Sequence, residues 1–351
     1  MKEMAVINSK RQRKLVKQKY APSTTMSFDL PSGEVVKRYT FKVKGYVKHN
    51  YASGAPVLNS QRAGICHALF RNISVITDGG VTRKKVDVKW LRDQAKMVLG
   101  SDAPAYYQKD ANKVDVEVEG FPTIAPTGKK LAFIETFELP MEAIITSASA
   151  SSYLNLSGKS ASVIEIDTHN LRNLLLPSSD EVDSTEYDID VEISLTTAPH
   201  FRGNKFATFR QTPKTVDFKG AQNNTPVELN RGASIAGFWI ELLKGQDRIP
   251  LTMDEFDRCE FQIVRNGTEV IRHFTGHQLI AENLSGTPIQ KALKACGYVS
   301  FLNNRSVETA LKTGMGSGVQ ALDLNVTLPS DLDYSYPVSV SIKQDEFIQL
   351  D

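Results

Sequence analysis

Apolar and polar positions alternate with period two along residues 35–49 (VVKRYTFKVKGYVKH), with Tyr39, Phe41, Val43, Gly45 and Val47 in one phase and lysines in the other. Successive side chains of an extended chain point to opposite sides, so this run predicts a strand with one packed and one wetted face. Further runs predict strands at 130–139, 162–167 and 187–196, then at 234–243, 297–302, 321–328 and 338–349. Residues 171–176, before Pro177, suggest a helical turn. Segments 148–160 and 313–319, rich in Ser, Ala and Gly, predict loops.

Two stretches share one pattern. Residues 69–100 (LFRNISVITDGGVTRKKVDVKWLRDQAKMVLG) and 256–286 (FDRCEFQIVRNGTEVIRHFTGHQLIAENLSG) each run strand, tight turn, strand, amphipathic helix. The turns fall at Asp78-Gly79-Gly80 and Arg265-Asn266-Gly267, and Asp-Gly or Asn-Gly between alternating runs is the strongest short-range hairpin signal. The period then lengthens at 90–99, with Leu91, Ala95, Val98 and Leu99 on one stripe, and at 277–284; Gly100 and Gly286 are read as the helix stops. The chain is therefore read as all-β: two tandem eight-stranded antiparallel jelly-roll sandwiches, each with a short helix after a β-hairpin. Long helices do not alternate with the strands, which argues against a parallel α/β fold. The expected division is an arm at 1–24, a first jelly roll at 25–205 and a second at 206–351.

Composition adds a charge asymmetry. The 351 residues are 41% hydrophobic and 23% charged with net charge +2, yet the first twenty carry +6, leaving −4 for the rest. Lys10, Arg11, Arg13, Lys14, Lys17 and Lys19 are thus expected to contact a membrane or partner, and 21–25 (APSTT) reads as a breaker separating arm from body. The arm has no aromatic residue before Tyr20, so it lacks the stacking groups of a single-strand binder, and direct nucleic-acid binding is not expected. Cys66, Cys259 and Cys296 form no CxxC motif and suit a reducing place of synthesis, a cytoplasm. No signal peptide or membrane-spanning run is read, and the sequons at Asn72, Asn155, Asn266 and Asn325 are taken as chance matches.

The motifs that could carry chemistry are incomplete. His273 and His277 have zinc-helix spacing, but Phe274 stands where the Glu belongs. Cys66-His67, read on a strand, would point to opposite faces. Gly128-Lys129-Lys130 fails the phosphate-loop pattern, and Gly314, Gly316 and Gly318 lack a strand before and a helix after. Asp180, Glu181 and Asp183, like Asp254, Glu255 and Asp257, lack calcium-loop spacing. No catalytic, cofactor or metal residue is therefore assigned. A two-jelly-roll glycan hydrolase resembling peptide N-glycosidases, or a tandem carbohydrate-binding module, is the alternative reading.

Tandem sandwiches, each with a hairpin and short helix behind a basic arm, resemble the double-jelly-roll major capsid proteins of tailless, membrane-containing icosahedral phages of the tectivirus and corticovirus type. The resemblance is strongest over residues 37–100, from KRYTFKVKGYVKHN through LFRNISVITDGG to VDVKWLRDQAKMVLG. It implies a structural, non-enzymatic subunit of a virion capsid, assembled as a homotrimeric pseudo-hexameric capsomer. It also implies an N-terminal segment near an internal lipid membrane, minor capsid proteins or neighbouring capsomers. Two lobes per chain and three chains give six similar lobes, which suit a near-hexagonal lattice.

Overall fold

The alternating run at 35–49 forms a 17-residue strand, Val35–Tyr51, in a computed structural model that describes residues 11–51, 57–58, 65–100, 105–108, 116–117, 130–146, 152–171, 175–176, 182–198, 208–245 and 249–348. Tyr39, Phe41, Val43 and Val47 are buried, as the period requires. Gly45 occupies the same phase for a steric reason: a Cβ there would lie 2.1 Å from the Asp188 carbonyl oxygen of the neighbouring strand.

The chain divides into two compact units, one of residues 1–96, 101–142 and 153–206, the other of 97–100, 143–152 and 207–351. In the first, Val35–Tyr51 lies between Lys130–Pro140 and Val182–Ala198, and Val182–Ala198 also pairs with Arg11–Lys14. A second sheet runs Thr25–Asp29, Val163–Thr168, Phe70–Thr77, Val81–Val86. Phe41 and Phe137 stack at 4.8 Å, and Phe70 of the other sheet tilts against Phe137 at 6.3 Å, so the core lies between the sheets.

The second unit repeats this ladder. Thr208–Phe218 pairs with Val338–Ile348, which pairs with Ser234–Lys244, which pairs with Cys296–Ser300. Its other sheet runs Gln222–Glu228, Leu322–Leu328, Glu260–Arg265, Glu269–Thr275. Phe238, Ile240, Leu242, Phe261, Leu324 and Val340 fill the core. In both units one ladder joins the first strand to the last, then to the third, and the other carries the predicted hairpin. Antiparallel sheets packed face to face in this way are jelly rolls.

Both hairpin tips match their sequences. Asp78 and Gly79, like Asn266 and Gly267, have positive φ, as a type I′ turn requires at both central positions. The Gly80 and Thr268 N–H groups donate back to the Thr77 and Arg265 carbonyls.

Several local readings change. The predicted helix is Val88–Leu99, and it buries Trp90, Leu91, Gln94 and Met97, while Ala95 and Val98 of the predicted stripe are only half-buried. Gly100 does close it with φ +72°, whereas Gly286 is the last residue of the helix Gly276–Gly286 and Thr287 caps it. Cys66-His67 lies in the short helix Cys66–Leu69, not on a strand. Of the predicted helical turn at 171–176, Leu171 is in a 3-10 turn, while Leu175–Leu176 pairs with Val57–Leu58 as a strand.

Candidate assembly surfaces

The largest departure concerns the basic segment. Lys10 lies outside the described residues, but from Arg11 onward the chain is the outer strand of the first unit rather than a separate arm. Arg11–Lys14 pairs with Ser194–Thr197, the Leu15 and Tyr20 N–H groups donate to the Ile193 and Ile189 carbonyls, and Gln18–Lys19 pairs with residues 190–191. Tyr20 is buried and its hydroxyl donates to the His169 carbonyl at 2.6 Å, which fixes the end of the segment. The physical reason is electrostatic as well as backbone pairing. Lys17 meets Asp190 at 2.5 Å, Lys19 meets Asp190 at 2.8 Å and also Asp188, and Arg13 approaches Glu34 at 3.8 Å.

Hydrogen bonds to Asp188 and then Asp190 raise the Lys19 pKa to about 12. Those from Lys17 and then Lys19 hold Asp190 below the ordinary carboxylate value. Lys14 is exposed. A run of lysines is also how natural sheets discourage unwanted strand pairing at an edge. The local sequence of a charged edge strand and of a free tail is the same; the distinguishing acids lie about 170 positions away.

The incomplete motifs fall into structural roles. His273 Nε2 lies 3.4 Å from Glu260 across the second hairpin, while the His277 N–H donates to Asp257 at the start of the next helix. Thr252 and Glu255 form a capping box for Met253–Asp257. The Asn266 amide is engaged on both ends, donating to the Gly318 carbonyl and accepting from the Gln320 N–H, and so ties the hairpin tip to the glycine loop. Gly128, Lys129, Asp180 and Glu181 lie outside the described residues.

Sequence reading missed two buried polar centres. In the first unit, Glu135 occupies an inward position of Lys130–Pro140, pairs with Arg92 and accepts the Cys66 N–H at 2.9 Å. Burial, then the Glu135 charge, pushes the Cys66 thiol well up, which keeps it protonated and unreactive. In the second unit, Lys343 and Glu241 pair at 2.9 Å with both side chains buried, and Glu346 gathers Arg210, Thr212 and Asn230. The available signal was an acid in the apolar phase of an alternating run.

A cavity of about 550 Å³ opens in the second unit beside Arg272, Glu282, Asn283, Tyr298, Asn304 and Arg305. Its arginines hold the fold together. Arg272 pairs with Glu282, and Arg305 donates to the Ile145 and Thr146 carbonyls.

No protein-family model matches the sequence, and no curated protein does. The fold does match solved structures. The major capsid protein of STIV, the Sulfolobus turreted icosahedral virus, superposes with TM-score 0.65 at 12% identity, covering 97% of each chain. A capsid model of the virus PBCV-1 gives 0.58 at 9% identity, over 99% of this chain and 95% of that one. Major capsid protein P2 of bacteriophage PM2 gives 0.53 at 11% identity, over 97% and 99%. At these identities the likeness is one of fold, and across nearly its whole length the chain has the double-jelly-roll fold of viral major capsid proteins.

Proposed function

We propose that this chain is the major capsid protein of an icosahedral virus, a structural rather than catalytic subunit whose place is the virion shell. The observation that carries the reading is the repeated strand ladder: two units of one topology, spanning the same length as the capsid proteins they match. Three such chains form a homotrimer of six similar lobes, and the trimers tile a near-hexagonal shell. The basic segment is the second element of the proposal. Contact with an internal membrane, minor capsid proteins or neighbouring capsomers is assigned to Lys10, Arg11, Arg13, Lys14, Lys17 and Lys19; Arg13, Lys17 and Lys19 also face acids of their own chain, and Lys14 is exposed. Each such cation near an anionic lipid surface adds about 1 kcal/mol of attraction. The test is to express the full chain and examine it by analytical sedimentation and electron microscopy. Trimers with a hexagonal outline, or closed shells, are expected; a protein that stays monomeric at micromolar concentration, or releases sugar from a glycopeptide, refutes the reading.

A further inference from the structure

Both units meet the same difficulty at the same place. The fourth strand of each long ladder turns one row of N–H and C=O groups away from its neighbour, and such a row is a template for any extended chain that reaches it. In the first unit that strand is Lys130–Pro140, and a further strand covers it: Ala105–Gln108 pairs with residues 132–135 and is itself paired by Val116–Glu117. In the second unit the equivalent strand is Cys296–Ser300. Among the described residues its one strand partner is Ser234–Lys244, so its other side ends the sheet.

Side chains close that side. The Asn283 amide donates to the Tyr298 carbonyl and accepts from the Tyr298 N–H, each at 2.6 Å, and Arg272 donates to the Ser300 carbonyl at 3.3 Å. The two Asn283 bonds are those that a hydrogen-bonded residue pair exchanges in an antiparallel ladder, so one amide takes the place of a neighbouring strand. The helix that carries it, Gly276–Gly286, is anchored in its first half by the Thr275–Gln278 capping box and by Leu279, whose Cδ2 lies 2.8 Å from where a Cβ on Gly297 would stand. Its last turn is different. From Ala281 to Gly286 every residue is exposed except Asn283, which is only 4% exposed. That turn is tied to the strand through Asn283, with the Arg272–Glu282 pair beside it. The cavity of about 550 Å³ next to Tyr298 and Ser300 leaves room along the same edge.

We propose that the last turn of this helix is a latch over a strand-addition site, and that the occupant, when Asn283 lets go, is Cys296–Ser300 of a second copy. Tyr298 facing Tyr298 about a two-fold axis restores both bonds that Asn283 makes, and it sets Cys296 opposite Ser300 of the other copy. The strand, CGYVS, has no charged residue, so pairing with itself sets no like charges against each other. The contact is isologous, one sheet extended by its own copy. With the latch closed, this edge joins no copies, and contacts elsewhere on the chain set its assembly. The proposal goes beyond the capsid reading and does not depend on it, because each variant is compared with wild type.

Full-length Asn283→Ala at micromolar concentration should sediment at no less than twice the wild-type mass, with a native circular dichroism spectrum. Ser300→Pro removes an N–H on the same outward side as that of Tyr298 and leaves the bonds to Ser234–Lys244 in place. Alone it should keep the wild-type mass, and added to Asn283→Ala it should restore it. An Asn283→Ala protein that precipitates is judged by the same rescue: solubility regained with the proline supports the proposal, and precipitation that persists rejects it. Folded Asn283→Ala of wild-type mass also rejects it. A cross-link then identifies the occupant. Residues 296 and 300 of one strand are about 13 Å apart, beyond the ~7 Å reach of a disulfide, so in Asn283→Ala with Ser300→Cys the introduced thiol can reach Cys296 only in another copy. Mild oxidation should give a dimer band that reductant removes, the other cysteines, Cys66 and Cys259, being buried. Association relieved by the proline but without that band places a different segment on the edge and overturns the self-pairing. Should the proline alone disturb the spectrum, the cross-link decides by itself.

Discussion

The Arg92–Glu135 pair offers a quantitative test of the first unit. Glu135 is 1% and Arg92 6% exposed, and the carboxylate also accepts the Cys66 N–H. Glu135→Gln keeps the shape and an acceptor for that N–H but leaves the Arg92 charge buried without its counter-ion. Breaking a buried pair from one side costs about 3–5 kcal/mol. Arg92→Met should cost a similar amount, since it strands the carboxylate. The double variant removes both charges and keeps the Cys66 acceptor, so it should lie within about 2 kcal/mol of wild type. The coupling is then several kcal/mol, well beyond the ~0.5 kcal/mol scatter of independent sites.

The chain reports this conveniently, because Trp90 is in the same helix as Arg92 and the other tryptophan, Trp239, belongs to the second unit. In a Trp239→Phe background, urea unfolding followed by Trp90 fluorescence reads the first unit alone. With a urea slope of about 2–3 kcal/mol per molar, each single variant should lower the midpoint by about 1–2 M. A Glu135→Gln loss under about 1 kcal/mol, or additive single effects, would refute the reasoning.

Three other outcomes follow from local geometry. Gly45→Val should prevent soluble expression or destabilise by about 3 kcal/mol, because overpacking meets the Asp188 backbone; Gly80→Ala, with open space around it, is the control for the same melting experiment. Burial lowers the His49 pKa from 6.5 to about 4, so between those values the unfolded chain binds a proton that the folded chain refuses. Stability from this residue is intact above pH 6.5 and declines by about 3 kcal/mol as pH falls to 4; His49→Gln should flatten that part of a stability–pH profile. Asn283→Ala should cost about 2–4 kcal/mol, since its amide both donates to and accepts from the Tyr298 backbone at 2.6 Å, and Trp239, 4.9 Å from the Tyr298 ring, should report the loss by fluorescence.

Much of the fold was legible because its signals are local. Alternation placed Val35–Tyr51 with its inward Tyr39, Phe41 and Val43, and Asp-Gly and Asn-Gly placed both hairpin tips. The helix Val88–Leu99 was found, but its buried face was assigned one position off because Gln94 and Arg92 are polar and yet buried. The strand pairing of the basic segment was not legible for a different reason. Nothing between Lys10 and Lys19 reveals that Asp188 and Asp190 wait opposite, and a long-range pairing leaves no local trace. Glu135 shows the converse case, a charge in the apolar phase that, taken at face value, announces a buried partner without naming Arg92.

Under the capsid role proposed above, the shared ladder of the two units has a consequence for how a shell is made. Because both lobes are translated as one chain, their ratio is fixed at one to one whatever the level of expression, and no sorting step is needed to alternate them around a ring. Each lobe is also free to diverge under its own demands. The first carries a basic leading strand, while the second carries Arg210 and Gln211 at the matching position, held by Glu346 and Asp345. One gene thereby supplies two specialised tiles in strict register.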